Sequence, residues 1–177
     1  MPAYYPYLLS SLPVLAFGMK PPFTLEEFFE VCARVIPEED SALIRKIARE
    51  PGYLFAGPGE NLVEKWGRFD LMLRNELARL RASRRKKDPS LYLRSEEHAD
   101  SEITHIASSA YRNTHILSAQ EHLDKERWRF LEEASLGHYF DADTLCSYAL
   151  KLAILIRWDK INKADAHALL NDTLKRN

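Results

Sequence analysis

Residues 61–86 read NLVEKWGRFDLMLRNELARLRASRRK, and they decide the fold class. Leu62, Trp66, Phe69, Leu73, Leu77 and Leu80 advance by 4, 3, 4, 4 and 3 positions. That spacing lays one apolar stripe along a helix of 3.6 residues per turn, a period no strand produces. The stretch reads as one long helix from about Asn61 to Lys86, finishing in a run of bases and broken at Asp88-Pro89.

Upstream, residues 51–60 (PGYLFAGPGE) hold three of the six glycines and read as a loop. Thr24 followed by Glu27 is a capping box that opens a helix with Leu25, Phe28, Phe29, Cys32 and Ile36 as its stripe. Pro37 ends it and starts the next helix, where Glu38, Glu39 and Asp40 meet the positive end of the dipole and Leu43, Ile44 and Ile47 face inward. Residues 1–23 are rich in Tyr, Leu and Pro; Pro2, Pro6, Pro13, Pro21 and Pro22 forbid one continuous helix, so an extended or short helical segment packed on the body is expected.

Downstream, a helix is expected from about Glu96 to Arg112, with Ile103, Ile106, Ala107 and Ala110 inward. Ser118 with Glu121 is a second candidate capping box, for a helix carrying Leu123, Phe130, Leu131 and Ala134 that ends near Gly137. Asp141 or Asp143 caps the next helix, whose wide apolar band (Leu145, Tyr148, Ala149, Leu152, Leu155, Ile156) implies burial on more than one side. A break is expected at Asn162 or Lys163, before a last helix with Ala166, Leu169, Leu170 and Leu174. The expectation is an all-α bundle of six or seven helices preceded by an extended Tyr/Pro-rich segment. It is read as a single helical domain over 1–177, with a weak split at 88–95 into halves 1–87 and 96–177.

Lys and Arg total 25 and Asp and Glu 26, giving a net charge of −1, where a dedicated nucleic-acid binder is more often strongly basic. The opening residues lack the basic region of a signal peptide, and the longest later apolar run, Leu152 to Ile156, is far short of a membrane span. Two cysteines, Cys32 and Cys146, lie in apolar helical stretches in no metal-like spacing, which suits a cytoplasmic setting.

Chemistry-bearing patterns are sparse. Glu102-x-x-His105 has the ligand spacing of a ferritin-like carboxylate–metal helix, and His98 with His105 and His115 with His122 share faces. A di-iron site needs a second such motif, and the position matching Glu before His122 is Ala119. Gly52 and Gly57 have Walker spacing, but Pro58-Gly59 stands where Lys-Ser/Thr is required. No Gly-x-Ser-x-Gly occurs. No catalytic, cofactor-binding or metal-binding residue is assigned, no cofactor is expected, and the chain is read as a non-enzyme.

Residues 79–87, RLRASRRKK, hold six bases and no acid, which leaves −7 on the rest of the chain. Such polarised charge selects partners, and Arg84, Arg85, Lys86 and Lys87 are the expected docking patch for an acidic protein surface rather than for nucleic acid. Tyr4 and Tyr5 are the other candidate protein-binding residues, since tyrosine supplies contact area at low entropy cost.

Several motifs carry a family resemblance. Tyr4-Tyr5, Ser11-Leu12-Pro13, Phe17-Gly18, Lys20-Pro21-Pro22 and Glu26-Glu27-Phe28 form one stretch. Glu121, Leu123-Asp124, Arg127-Trp128, Tyr139-Phe140-Asp141, Tyr148, Lys151-Leu152 and Arg157-Trp158 form a second. Together they resemble a bacterial family that accompanies V-type ATPase genes. That family looks like shortened relatives of the helical C-type subunit of V/A-type ATPases, the d-type subunit in the eukaryotic enzyme. The resemblance implies a helical, non-catalytic coupling part between the membrane rotor ring and the central stalk. It implies a cytoplasmic position, peripheral to the membrane through the ATPase complex, without insertion. The competing readings are an unrelated helical adaptor docking through the basic patch and, behind it, a carboxylate–metal enzyme built on Glu102 and His105.

Overall fold

A computed structural model describes residues 4–95 and 99–175, with side chains described as far as Ala164. Within them run α1 (Pro6–Ser11), α2 (Leu25–Val35), α3 (Glu38–Arg49), α4 (Leu62–Arg84), α5 (Ser101–Arg112), α6 (Ile116–Ala134) and α7 (Ala142–Lys175). Two short 3-10 turns, Gly52–Phe55 and Pro89–Tyr92, flank α4. Among the described residues the one isolated β-bridge joins Tyr4 to Asp141. The protein is all-α, and among the described residues no helix is long and apolar enough to cross a membrane.

The chain forms two compact units. One takes the residues up to Arg49 and those from Phe140 onward; the other is Glu50–Tyr139. Residues 88–95, where the sequence suggested a weak split, lie inside the second unit. The reason is Asn75, buried on α4. Its amide donates to the backbone oxygen (3.3 Å) and hydroxyl (3.0 Å) of Ser95 and accepts from the Arg94 amide (3.0 Å), folding that connection back onto the helix.

In the first unit α2, α3 and α7 share a core of Phe28, Phe29, Cys32, Ile44, Ile47, Leu145, Cys146, Ala149 and Leu152. The Thr24 capping box is present: its hydroxyl accepts from the Glu27 amide (3.2 Å) while the Glu27 carboxylate takes the Thr24 amide (2.7 Å). Leu43 is exposed, because the inward stripe of α3 passes through Ser41, Ile44 and Ile47. The N-terminal segment is only partly extended. Pro6 occupies the first turn of α1, where its missing amide costs nothing, and Leu8 is buried. The Tyr5 amide donates to the Phe140 carbonyl at 2.5 Å. The Tyr148 hydroxyl donates to the Pro13 carbonyl at 2.9 Å, and its ring stacks 5.3 Å from Phe28.

Three expected boundaries differ. The helix expected from about Glu96 starts at Ser101, because Asp100 is extended and caps it, accepting from the Ile103 amide at 2.8 Å. No break occurs at Asn162 or Lys163; α7 is continuous to Lys175. Neither residue removes a backbone donor as proline does, and Lys163 pairs with Asp159 one turn back at 2.6 Å. The last stripe, Ala166 to Leu174, has side chains outside the described residues. The Ser118–Glu121 box does not form, because α6 starts earlier, at Ile116, with His115 as N-cap. Asp141 does cap α7, accepting from the Thr144 amide at 3.0 Å.

The second unit is organised around α4. Leu62, Trp66, Phe69, Leu73 and Leu77 are buried as the spacing requires, and Phe69 stacks on Phe130 of α6 at 4.3 Å. Asn61 caps the helix through the Glu64 amide (2.9 Å). The glycine-rich loop is structural: Glu64 accepts from the Gly59 amide, and Arg68 donates to the carbonyls of Gly57 and Gly59. Gly67 sits mid-helix where a Cβ would collide with the backbone of Phe55 and Ala56. Asp70, only 1% exposed, is one of two buried carboxylates of this unit, with Asp124. It accepts from the Tyr53 amide (3.1 Å) and Arg74 Nε (2.7 Å), and Arg127 of α6 lies 3.5 Å away. Arg127 also donates to buried Asp124 at 3.0 Å. Burial pulls the Arg127 guanidinium below its ordinary pKa, and Asp70 opposes that shift.

Two stability outcomes follow. Gly67→Ala lowers the unfolding free energy in urea by about 1–3 kcal/mol, although alanine is the better helix former, because two backbones meet there. Asp70→Ala costs about 3–5 kcal/mol by leaving Arg127 buried beside one carboxylate fewer, and adding Arg127→Met restores part of the loss.

Candidate functional site

The run RLRASRRKK ends α4 without a glycine. The Lys87 amide donates to the Ala82 carbonyl (3.0 Å) and the Lys86 amide to Ser83 (3.0 Å), the paired bonds of a Schellman ending. That motif needs a left-handed residue just past the helix, and here it is Lys86, with φ of 52°. It is the one non-glycine residue with positive φ among those described. A lysine at this position carries backbone strain that glycine would not. Asp88 then accepts from the Ser90 amide at 3.0 Å and opens the 3-10 turn Pro89–Tyr92; hydrogen bonding from Ser90 holds its carboxyl below the usual range.

Arg84, Arg85, Lys86 and Lys87 are all exposed, and none makes an ion pair with a described residue. Beside them, within the second unit, lies an open groove of about 720 Å³. Its polar wall is Arg81, Arg84, Arg85 and Lys87, and Tyr92 and Tyr111 complete it. Ala78 and Ala82 form an apolar floor. Arg81, Arg84 and Arg85 converge because they stand at i, i+3 and i+4 on one helical face. The Tyr111 hydroxyl is buried with no hydrogen-bond partner among the described residues. Among the described residues no carboxylate lines the groove, so those residues offer donors and positive charge to an anion.

The sequence singled out Arg84, Arg85, Lys86 and Lys87 here but not Arg81, Tyr92 or Tyr111. Arg81 was visible in the same basic run at helical spacing. The tyrosines were not, because nothing local says that the end of α5 and the turn after α4 come to one place.

Tyr4 and Tyr5 part company. Tyr4 is 66% exposed, and Tyr7 is 86% exposed. Tyr5 is buried, so its assignment as a partner-binding residue is corrected: its hydroxyl donates to Asp40 of α3. Burial and that carboxylate push the Tyr5 phenol up to about 12.

The metal candidates do not assemble. Glu102 is bound to Arg129 of α6 at 2.5 Å, and Arg129 also pairs with Glu126 and Glu133. His105 is exposed, and His122 faces Glu126 at 4.0 Å. His98 lies outside the described residues, and among those described no group of three metal-ligating side chains converges. Cys32 and Cys146 are both free and buried; burial raises the Cys32 thiol to about 11 and Cys146 further, so neither is a ready nucleophile.

Against known proteins, residues 102–176 match a family model described as a protein of unknown function (DUF2764). The match covers under half of the chain, drawing on α5, α6 and α7. No curated protein and no solved structure matches.

Lys86→Gly relieves the strained position and raises stability by about 1 kcal/mol in urea unfolding, whereas the β-branched Lys86→Val lowers it.

Proposed function

We propose that this chain is a non-catalytic helical component or accessory protein of a V-type ATPase, similar to the C-type subunit, and that it links its neighbours through protein–protein contacts. In this reading it is cytoplasmic and reaches the membrane only through the complex, with the rotor ring or the central stalk as partner. Support begins with the resemblance carried by the two sequence stretches. Residues of those two stretches meet in space: Tyr4 bridges Asp141, the Tyr5 amide reaches the Phe140 carbonyl, and Tyr148 reaches Pro13. That mutual contact is the observation that carries the reading, since it joins the first stretch to the Phe140, Asp141 and Tyr148 part of the second within the first unit. The same segment leaves Tyr4 and Tyr7 exposed for a neighbour.

A second reading, an adaptor unrelated to that machine, is favoured by the basic end of α4 alone. The four exposed cations and the strain accepted at Lys86 suit a docking patch for an acidic protein in either setting.

A tagged chain expressed in its own cells should co-purify with the rotor ring or central stalk, and a deletion strain should lose proton pumping. Intact assembly and pumping in the deletion strain would overturn the ATPase reading. Reversing Arg84, Arg85, Lys86 and Lys87 to Glu should abolish partner capture under both readings; unchanged capture removes the patch from either.

A further inference from the structure

The groove shares Arg84, Arg85 and Lys87 with the exposed patch and adds a concave lining of Arg81, Ala78, Ala82, Tyr92 and Tyr111. We infer that it seats an acidic peptide segment of a protein partner, with carboxylates flanking one apolar or aromatic side chain. The charge is complementary: Arg81, Arg84, Arg85 and Lys87 line it, and among the described residues no carboxylate does. Guanidinium forks pair with carboxylates in two-point fashion, which fixes orientation as well as charge.

Two observations favour a peptide over a phosphate-bearing ligand. Arginine forks pair with phosphate as well as with carboxylate, but one common class of phosphate site adds free backbone amides at a helix N-terminus. This groove stands at a helix C-terminus, whose dipole opposes an anion near the backbone, and the amides of Arg85, Lys86 and Lys87 are spent on α4's own carbonyls. The charge offered is thus all on side chains that reach away from the backbone. The floor, meanwhile, is apolar. Ala78 and Ala82 are methyl groups, and the rings of Tyr92 and Tyr111 complete the lining, which leaves room for one sizeable side chain. A groove of about 720 Å³ lies in the range of sites that bury most of a ligand. Tyr92 is 55% exposed, so its ring is accessible to the occupant.

This inference rests on the docking reading above but fails separately from it. The probe is a fluorescein-labelled synthetic peptide of glutamates flanking a single phenylalanine, titrated with the full chain and read by fluorescence anisotropy. Saturable binding is expected, weakening as salt is raised. Arg81→Glu with Arg85→Glu should weaken it by at least about tenfold. Tyr92→Ala removes an exposed lining ring; it should fold normally and weaken binding by about fivefold. Replacing the glutamates of the peptide with glutamines should abolish binding.

No binding, or unchanged affinity in both variants, overturns the inference. So does displacement of the peptide by a single-stranded oligonucleotide or by phosphatidylserine vesicles at lower concentration than unlabelled peptide, which would assign the groove to another class of anion. Peptide binding together with normal proton pumping in the deletion strain leaves the groove standing and removes the ATPase; the reverse pattern does the opposite.

Discussion

A carboxylate sealed in an apolar interior must be answered by donors, and Asp70 is answered from three directions. The Tyr53 amide comes from the 3-10 turn before α4, Arg74 from one turn further along α4, and Arg127 from α6. The Tyr53 amide and Arg127 could be replaced by water only if their elements moved away from α4. The ion cluster therefore acts less as a source of net stability than as a specification of where the turn and α6 lie against α4. Burying Arg127 as well raises the stakes, since its second partner Asp124 is fully buried too. The consequence reaches the far end of α4: a helix fixed at its middle presents its basic terminus at a definite place.

α4 breaks its local preferences twice, in opposite senses. Gly67 stands mid-helix where alanine is intrinsically better, and Lys86 stands at a left-handed position where glycine is better. The first exception has a packing cause, the backbone of Phe55 and Ala56 lying against the helix. The second has no packing cause, since Lys86 is exposed. What it does keep is a charge in a run of bases. Local rules broken without a structural return tend to mark function, and here the exception falls beside the groove.

What could be read from the chain alone was what depends on near neighbours. The stripe of α4, the Thr24 box, the inward face of α5 and the Asp141 cap all rest on contacts within a few residues, and each stands as spaced. What escaped depends on distant pairing. Tyr5 has the same local context as Tyr4, and only the arrival of Asp40 from α3 separates a buried tyrosine from an exposed one. Asn75 looked like one polar residue in a helix until Ser95 returned to it. The Ser118 box failed to competition, because Ile116 could already be helical behind an Asn113 turn that holds the His115 amide at 3.0 Å. Of the candidate site, the bases were legible as charge, while the groove needed α5 to bring Tyr111 alongside them.

The first unit is assembled from the two ends of the described chain, with the whole second unit inserted between. During synthesis α2 and α3 leave the ribosome long before α7, the helix that covers Phe28 and Cys32. At about 5–20 residues per second, the wait for residues 50–139 is on the order of ten seconds. Over that interval the inserted unit is contiguous and free to fold, while the aromatic face of the early helices stays bare and open to chaperones. Translation speed through the middle of the message thus sets how long the early half is vulnerable to aggregation.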